Sequence, residues 1–246
     1  MIATSSLYPC GTGQYPYRYF IWFLLLSCQL ILPSITSAQQ AGSQPVDPVE
    51  IARKLQNTYE NAANMEADFT QTTSMQFSNR VRNGAGTLIF MKPGRMRWDY
   101  TKPDHQVLIS DGKSISMYFE KSNQMIISDA RDYLQSDVTY SFFTGSGDII
   151  KDFDTVVPEL KNEDESSYLI KLVPRSPHPQ VAYMYAWVNR KTYLLSHLQI
   201  IDHFDTVTDL VFNNMRIDSN SYGGRGISEN LFYFTPPEGT EIIKQY

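Results

Sequence analysis

The chain has 246 residues, with 21 Lys and Arg against 26 Asp and Glu, a formal net charge of −5. This mildly acidic balance, with no clustered basic stretch, excludes nucleic acid as a partner, because phosphate binding needs clustered cations. The only two cysteines, Cys10 and Cys28, lie in an N-terminal leader, so the rest of the chain has no thiol for a disulfide, a zinc-thiolate site or a cysteine nucleophile.

Residues 1–38 contain no Asp or Glu and one cation, Arg18. An apolar run, Phe20 to Leu32, is broken by Ser27, Cys28 and Gln29 and is followed by Pro33 and the small-residue end Thr36-Ser37-Ala38. Thr36 and Ala38 fit the −3 and −1 positions of a signal-peptidase site. The run falls short of the ~20 apolar residues of a membrane span, so residues 1–38 read as a cleaved signal peptide. Leu25-Leu26-Ser27-Cys28 partly matches an acylation site, but Leu26 stands where a small or β-branched residue is usual, and apolar sequence continues past Cys28. Acylation of Cys28 is the alternative, and it would tether the protein to a membrane.

Residues 39–46 are polar and read as a flexible linker to a single domain over 47–246. Asp47 can cap a helix, Pro48 suits its first position and Glu50 completes a capping box. Val49, Ala52, Leu55, Tyr59 and Ala62 then recur at helical spacing, which predicts an amphipathic helix from Pro48 to Ala63. Strands are expected over Met65–Phe77, Gly86–Met91 and Arg95–Thr101. In the last of these Met96, Trp98 and Tyr100 alternate with Arg95, Arg97 and Asp99. Gln106–Ser110 is followed by the turn pair Asp111-Gly112, by a strand carrying Ile115, Met117 and Phe119, and by Gln124–Ser128.

From Asp129 to Gly147 the spacing of Leu134, Val138, Phe142 and Phe143 becomes helical, which predicts one or two short helices set into the sheet as a lid. Strands resume near Phe153–Val157, Tyr168–Val173, Ala182–Val188, Leu194–Ile201, Val207–Met215 and Leu231–Phe234. Many short strands with few helices indicate a mainly β, α+β domain: an antiparallel barrel or strongly curved sheet.

No nucleophile elbow, P-loop or dinucleotide fingerprint is present, and Gly223-Gly224-Arg225-Gly226 lacks the flanking strand and helix of a phosphate site. His197 and His203, with Asp202 and Asp205, do not have zinc-type spacing. The expectation is a protein with no catalytic residues, no metal and no cofactor. What the chain has in excess is Met and aromatic side chains in strands, among them Met65, Met96, Met117 and Met184. Met adapts to apolar ligands of variable shape.

Gly86-Thr87-Leu88-Ile89-Phe90-Met91-Lys92-Pro93-Gly94-Arg95-Met96-Arg97-Trp98-Asp99-Tyr100 resembles the periplasmic outer-membrane lipoprotein carrier family (LolA-type). Met65 to Gln71, then Pro103 with Ile109 to Lys113, and finally Phe234-Thr235-Pro236-Pro237-Glu238-Gly239 extend the resemblance in order along the chain. The resemblance implies an incomplete antiparallel barrel whose helices cover a hydrophobic cavity for acyl chains. It also implies a periplasmic monomer with three partners: acylated lipoproteins, an inner-membrane ATP-driven releasing complex and an outer-membrane receptor. Candidate cavity residues are Phe69, Leu88, Phe90, Met96, Trp98, Ile109, Ile115, Met117 and Phe119, and candidate lid residues are Leu134, Val138, Phe142 and Phe143. Where the family holds its lid with an Arg before the Pro, this chain has Lys92, which lacks the bidentate fork; Arg95 and Arg97 are the other candidates. A receptor of the same fold acylated at Cys28, or a periplasmic sensor, would look similar.

Overall fold

The computed structural model describes residues 47–76, 78, 80–130, 147–218 and 227–245. Twelve strands form one sheet: β1 (Asn64–Met75), β2 (Arg80–Met91), β3 (Arg95–Lys102), β4 (Gln106–Asp111), β5 (Ser114–Phe119), β6 (Gln124–Asp129), β7 (Phe153–Val156), β8 (Ser167–Pro174), β9 (Tyr183–Asn189), β10 (Leu195–Ile201), β11 (Thr206–Asp218) and β12 (Glu241–Gln245). Their order is β12-β6-β5-β4-β3-β2-β1-β11-β10-β9-β8-β7. Every pairing is antiparallel except β12 with β6. Among the described residues no pairing joins β7 to β12, so the curved sheet is an incomplete barrel.

Helix α1 spans Pro48–Glu60. The Asp47 carboxylate accepts from the Val49 N–H at 3.0 Å, as a cap should. Glu50 does not close the expected capping box; it pairs with Arg53 and Lys54 one turn on. The helix ends earlier than predicted because Asn61 caps it and the Ala63 N–H already donates to Asp218 O at the foot of β1. Ile51, Ala52, Leu55 and Tyr59 are buried and join the main core with side chains from β1, β2, β3, β5 and β8–β11. The Tyr59 hydroxyl, fully buried, accepts from the Leu195 N–H at 3.2 Å and donates to Met215 Sδ at 3.4 Å. Burial pushes its pKa well above the ordinary range. A four-residue helix, α2 (Ile149–Asp152), packs beside α1. The expected lid residues Leu134, Val138, Phe142 and Phe143 lie outside the described residues.

The opposite face of the sheet carries two smaller clusters. Over β8–β11, Leu169, Tyr185 and Ile201 are buried beside Tyr183, Trp187 and Val207. The segment after β7 is fixed there by Glu159, which accepts from Lys171 Nζ at 2.8 and 3.0 Å and from the Tyr185 hydroxyl at 3.0 Å. The Lys171 hydrogen bond, aided by others, holds the Glu159 carboxyl at about 2, and burial with the Glu159 contact pushes Tyr185 up to about 12. A depressed carboxyl stabilises the fold fully above its ordinary value of 4.5 and loses that contribution as pH falls towards about 2. Glu159→Gln should therefore flatten the loss of thermal stability across that window, compared with the parent chain in melts at pH 6 to 2.

His197 stacks on Trp187 at 4.1 Å and pairs with Asp209 at 2.8 Å, whereas His203 bonds to the His178 carbonyl and Asp202 caps its own turn. These groups do not converge.

Over β4–β6 the second cluster joins Val107, Ile109, Tyr118 and Met125 with Phe234 and Ile127. Here the expectation of a strand over Leu231–Phe234 is corrected. Residues Glu229–Phe232 form a 3-10 turn that seats Phe232 on the sheet, 1% exposed, and the last strand is Glu241–Gln245. Phe232 and Phe234 are anchored by packing onto the sheet rather than by pairing within it, so their apolar spacing imitated a strand.

Candidate functional site

Pairing between strands sorts the apolar side chains of β1–β6 on the face that α1 covers into rows, because side chains along a strand alternate between faces. One row runs Met65–Phe90–Met96–Ser110–Ile115–Ser128, the next Ala67–Leu88–Trp98–Leu108–Met117–Ile126, and the third Phe69–Gly86–Tyr100–Gln106–Phe119–Gln124. Met65, Phe90, Met96, Leu88, Phe69 and Ile115 are fully buried; Leu108, Met117, Ile126 and Phe119 are half-buried. The Phe69 ring sits edge-on to Trp98 at 4.7 Å and to Tyr100 at 4.9 Å, which ties the second and third rows together.

Of the nine candidate cavity residues, eight therefore share this face: Phe69, Leu88, Phe90, Met96, Trp98, Ile115, Met117 and Phe119. Ile109 is the correction. It pairs with Arg97 and Ser116 and packs in the cluster under Phe234, on the other side of the sheet. Its neighbour Leu108, opposite Trp98, takes the place on the helix-covered face. In Val107-Leu108-Ile109 every residue is apolar, so alternation gave no signal; the clean alternation of β3, carried across the pairing, would have supplied one.

The family model of the outer membrane lipoprotein carrier protein LolA matches residues 60–222, two thirds of the sequence and all of the strands from β1 to β11. The chain belongs to the LolA family. Similar LolA-family relatives include the outer-membrane lipoprotein carrier proteins of Nitrosomonas europaea, 28% identical over 201 residues (81% of this chain, 92% of that protein), and Methylococcus capsulatus, 27% identical over 191 residues (78% and 86%). Among solved structures, the LolA superfamily protein NE2245 of Nitrosomonas europaea aligns over 77% of this chain and 98% of its own, at 12% identity and a TM-score of 0.43.

At the position where the LolA resemblance places an Arg, Lys92 reaches the end of α1. Its Nζ donates to Tyr59 O at 3.2 Å, which also accepts the Ala62 N–H, and to Glu60 O, two carbonyls at the negative end of the helix. Burial lowers the Lys92 pKa, and Glu60 opposes that shift. Lys92 thus tethers α1 to the β2–β3 turn. Lys92→Ala should destabilise the fold by about 1–2 kcal/mol and Lys92→Arg by much less, as read from thermal melts.

Arg95 and Arg97 turn the other way. Arg95 Nη1 bonds Glu229 at 2.9 Å, and Arg97 Nη1 donates to Leu231 O at 2.9 Å while its Nη2 donates to Asp99 at 3.0 Å. Both hold the C-terminal segment on the opposite face, a role for which the sequence offered no pattern, since the partners lie 134 residues away.

Proposed function

We propose that this chain is a periplasmic carrier that binds the acyl chains of lipoproteins released from the inner membrane by an ATP-driven complex and delivers them to a receptor at the outer membrane. Membership of the LolA family, whose similar members are named outer-membrane lipoprotein carrier proteins, carries this reading. The helix-covered face supports it. Burying acyl chains is worth about 0.8 kcal/mol per CH₂, on the order of ten kcal/mol for a long chain, and an uninterrupted apolar surface is what offsets the loss of the membrane. Trp98, Leu108, Met117 and Ile126, in register on four adjacent strands, provide such a surface, and Met117 and the neighbouring Met96 can adapt to different chains. The work is non-covalent and requires no catalytic group.

The protein purified from periplasm, added to spheroplasts, should release lipoproteins into solution as a complex in which mass spectrometry finds intact acyl chains. It should itself begin at Gln39. If no lipoprotein enters the soluble fraction, the carrier reading fails; a diacylated Cys28 would instead make the chain a membrane-anchored receptor.

A further inference from the structure

The helix-covered face of β1–β6 is not uniformly apolar along the strands. At the Met65–Phe90–Met96–Ile115 end the side chains are fully buried and apolar, with two serines among them. The Ser110 hydroxyl is already engaged, donating to Gly94 O at 3.0 Å and accepting from the Gly112 N–H at 3.1 Å. In the middle row, Ala67 to Ile126, the one polar group is the Trp98 indole N–H, which is engaged with Met96 Sδ at 3.0 Å.

Two residues further along each strand, about 7 Å from that middle row, the character changes. Tyr100 and Gln106, between Phe69 and Phe119, and Gln124, beyond Phe119, occupy three of the six positions, all half-buried. The Tyr100 hydroxyl donates to Gln71 Oε1 at 2.8 Å, and Gln71 Nε2 passes the chain to Thr73 Oγ1 at 3.3 Å, which meets Thr208 Oγ1 at 3.3 Å. A hydrogen-bonded line of polar groups therefore crosses β3, β1 and β11 at one end of an otherwise apolar face.

We propose that this gradient orients the cargo: the lipid anchor lies along the strands with its acyl methyl ends towards Met96 and Ile115 and its ester-bearing, cysteine-linked end at the row of Tyr100 and Gln106. This rests on the carrier reading above and deepens it. The chemistry is that of any diacylated thioether anchor. Its tails want only apolar contact, which the middle row offers through the half-buried Leu108, Met117 and Ile126. Its ester and amide carbonyls are acceptors that are penalised when dried without a donor. The third row offers the amide N–H groups of Gln106 and the second N–H of Gln124, whose Nε2 also donates to Glu241 at 2.8 Å, while the Tyr100 proton is already given to Gln71. In the reversed orientation the carbonyls would meet Met96, Phe90 and Ile115, which carry no donor; the Ser110 proton is engaged, and Ser128 at the β6 end of that row offers one hydroxyl against the two glutamine amides of the third row. Gln106 is then a positioning residue for the linkage, beside the Tyr100 ring that Phe69 holds in place.

Photocrosslinking tests the orientation. The probe is a synthetic dipalmitoyl-glyceryl-cysteinyl peptide in two versions, one with a diazirine at the acyl ends and one with a diazirine on the residue after the cysteine. The acyl-end probe should label Met96, Ile115, Leu108 or Met117, and the peptide-end probe Tyr100, Gln106 or Phe119. The opposite pattern, or the same residues labelled by both probes, overturns the orientation and leaves the carrier reading intact. No label on this face from either probe overturns both. Gln106→Leu should weaken binding of the unmodified lipopeptide about fivefold, the effect of one neutral hydrogen bond, without lowering the melting temperature by more than a degree or two. Unchanged affinity removes Gln106 from the role.

Discussion

Gly86→Ala is expected to lower the melting temperature by about 10 °C, as measured by circular dichroism. A Cβ at residue 86 would lie 1.8 Å from the carbonyl oxygen of Asp99 and 2.7 Å from its carbonyl carbon. Both are backbone atoms of the neighbouring strand and cannot rotate away, so β2 and β3 must part where a bulge between Ala85 and Gly86 already shifts their register. Forcing strands apart at a buried pairing costs about 3–5 kcal/mol, and in a domain of this size each kcal/mol moves the midpoint by about 2–4 °C. Gly84→Ala, one pleat away, is the comparison. Its Cβ would approach the Tyr100 ring at 3.2 Å rather than backbone, and the expected loss is less than a third as large. Equal losses from the two variants would mean that the absence of a side chain at Gly86 is not what permits the close approach. The position also matters to the site. Gly86 stands between Phe69 and Tyr100 in the third row, and its empty volume lets those two rings meet at 4.9 Å across a strand.

What could be read in the sequence divides along physical lines. The start of α1 was legible because capping is local: Asp47 and Pro48 state it within two residues. β3 was legible because Arg95, Arg97 and Asp99 face the polar side and Met96 and Trp98 the core, and the Asp111-Gly112 pair marked the next turn, where Gly112 adopts φ +90°. The side of the sheet occupied by Ile109 was illegible within β4, because both faces of that strand are covered, one by the core beneath α1 and the other by Phe234 and its neighbours. An apolar residue on either face is equally favourable, so composition carries no directional information. β12 escaped notice for the converse reason. It is a short edge strand with four of five residues exposed, held by parallel backbone pairing to β6 and by polar contacts such as Gln124 Nε2 to Glu241 at 2.8 Å. Backbone pairing leaves no periodic trace in side-chain type. The family resemblance implied a helix-covered cavity, but it did not place Ile109 and could not say that Arg95 and Arg97 face the C-terminal segment; only the pairing register and the distant partners Glu229 and Leu231 decide that.

Met117→Glu is expected to reduce lipoprotein release from spheroplasts at least tenfold while the protein remains folded, whereas Ser116→Glu should change it by less than twofold. The two residues are neighbours on β5 and point to opposite faces: Met117 pairs with Leu108 and Ile126 on the helix-covered side, and Ser116 with Ile109 and Ile127 on the other. A carboxylate at Met117 would face apolar partners on both adjacent strands, and acyl chains laid there would have to dry a charge that has no counter-ion, a penalty far larger than one lost methylene contact. Because Met117 is only half-buried, the unloaded protein can keep the new charge in water and so keep its fold. Trp98→Ala tests the same surface less cleanly. Trp98 is 5% exposed, packs on Phe69 and donates from Nε1 to Met96 Sδ at 3.0 Å, so its truncation is expected to cost about 3–5 kcal/mol of stability before any cargo is involved. The contrast between adjacent positions isolates the face from the fold. If Ser116→Glu proves as damaging as Met117→Glu, or if Met117→Glu releases lipoproteins as the parent chain does, the acyl chains do not lie on the helix-covered face of β3–β6.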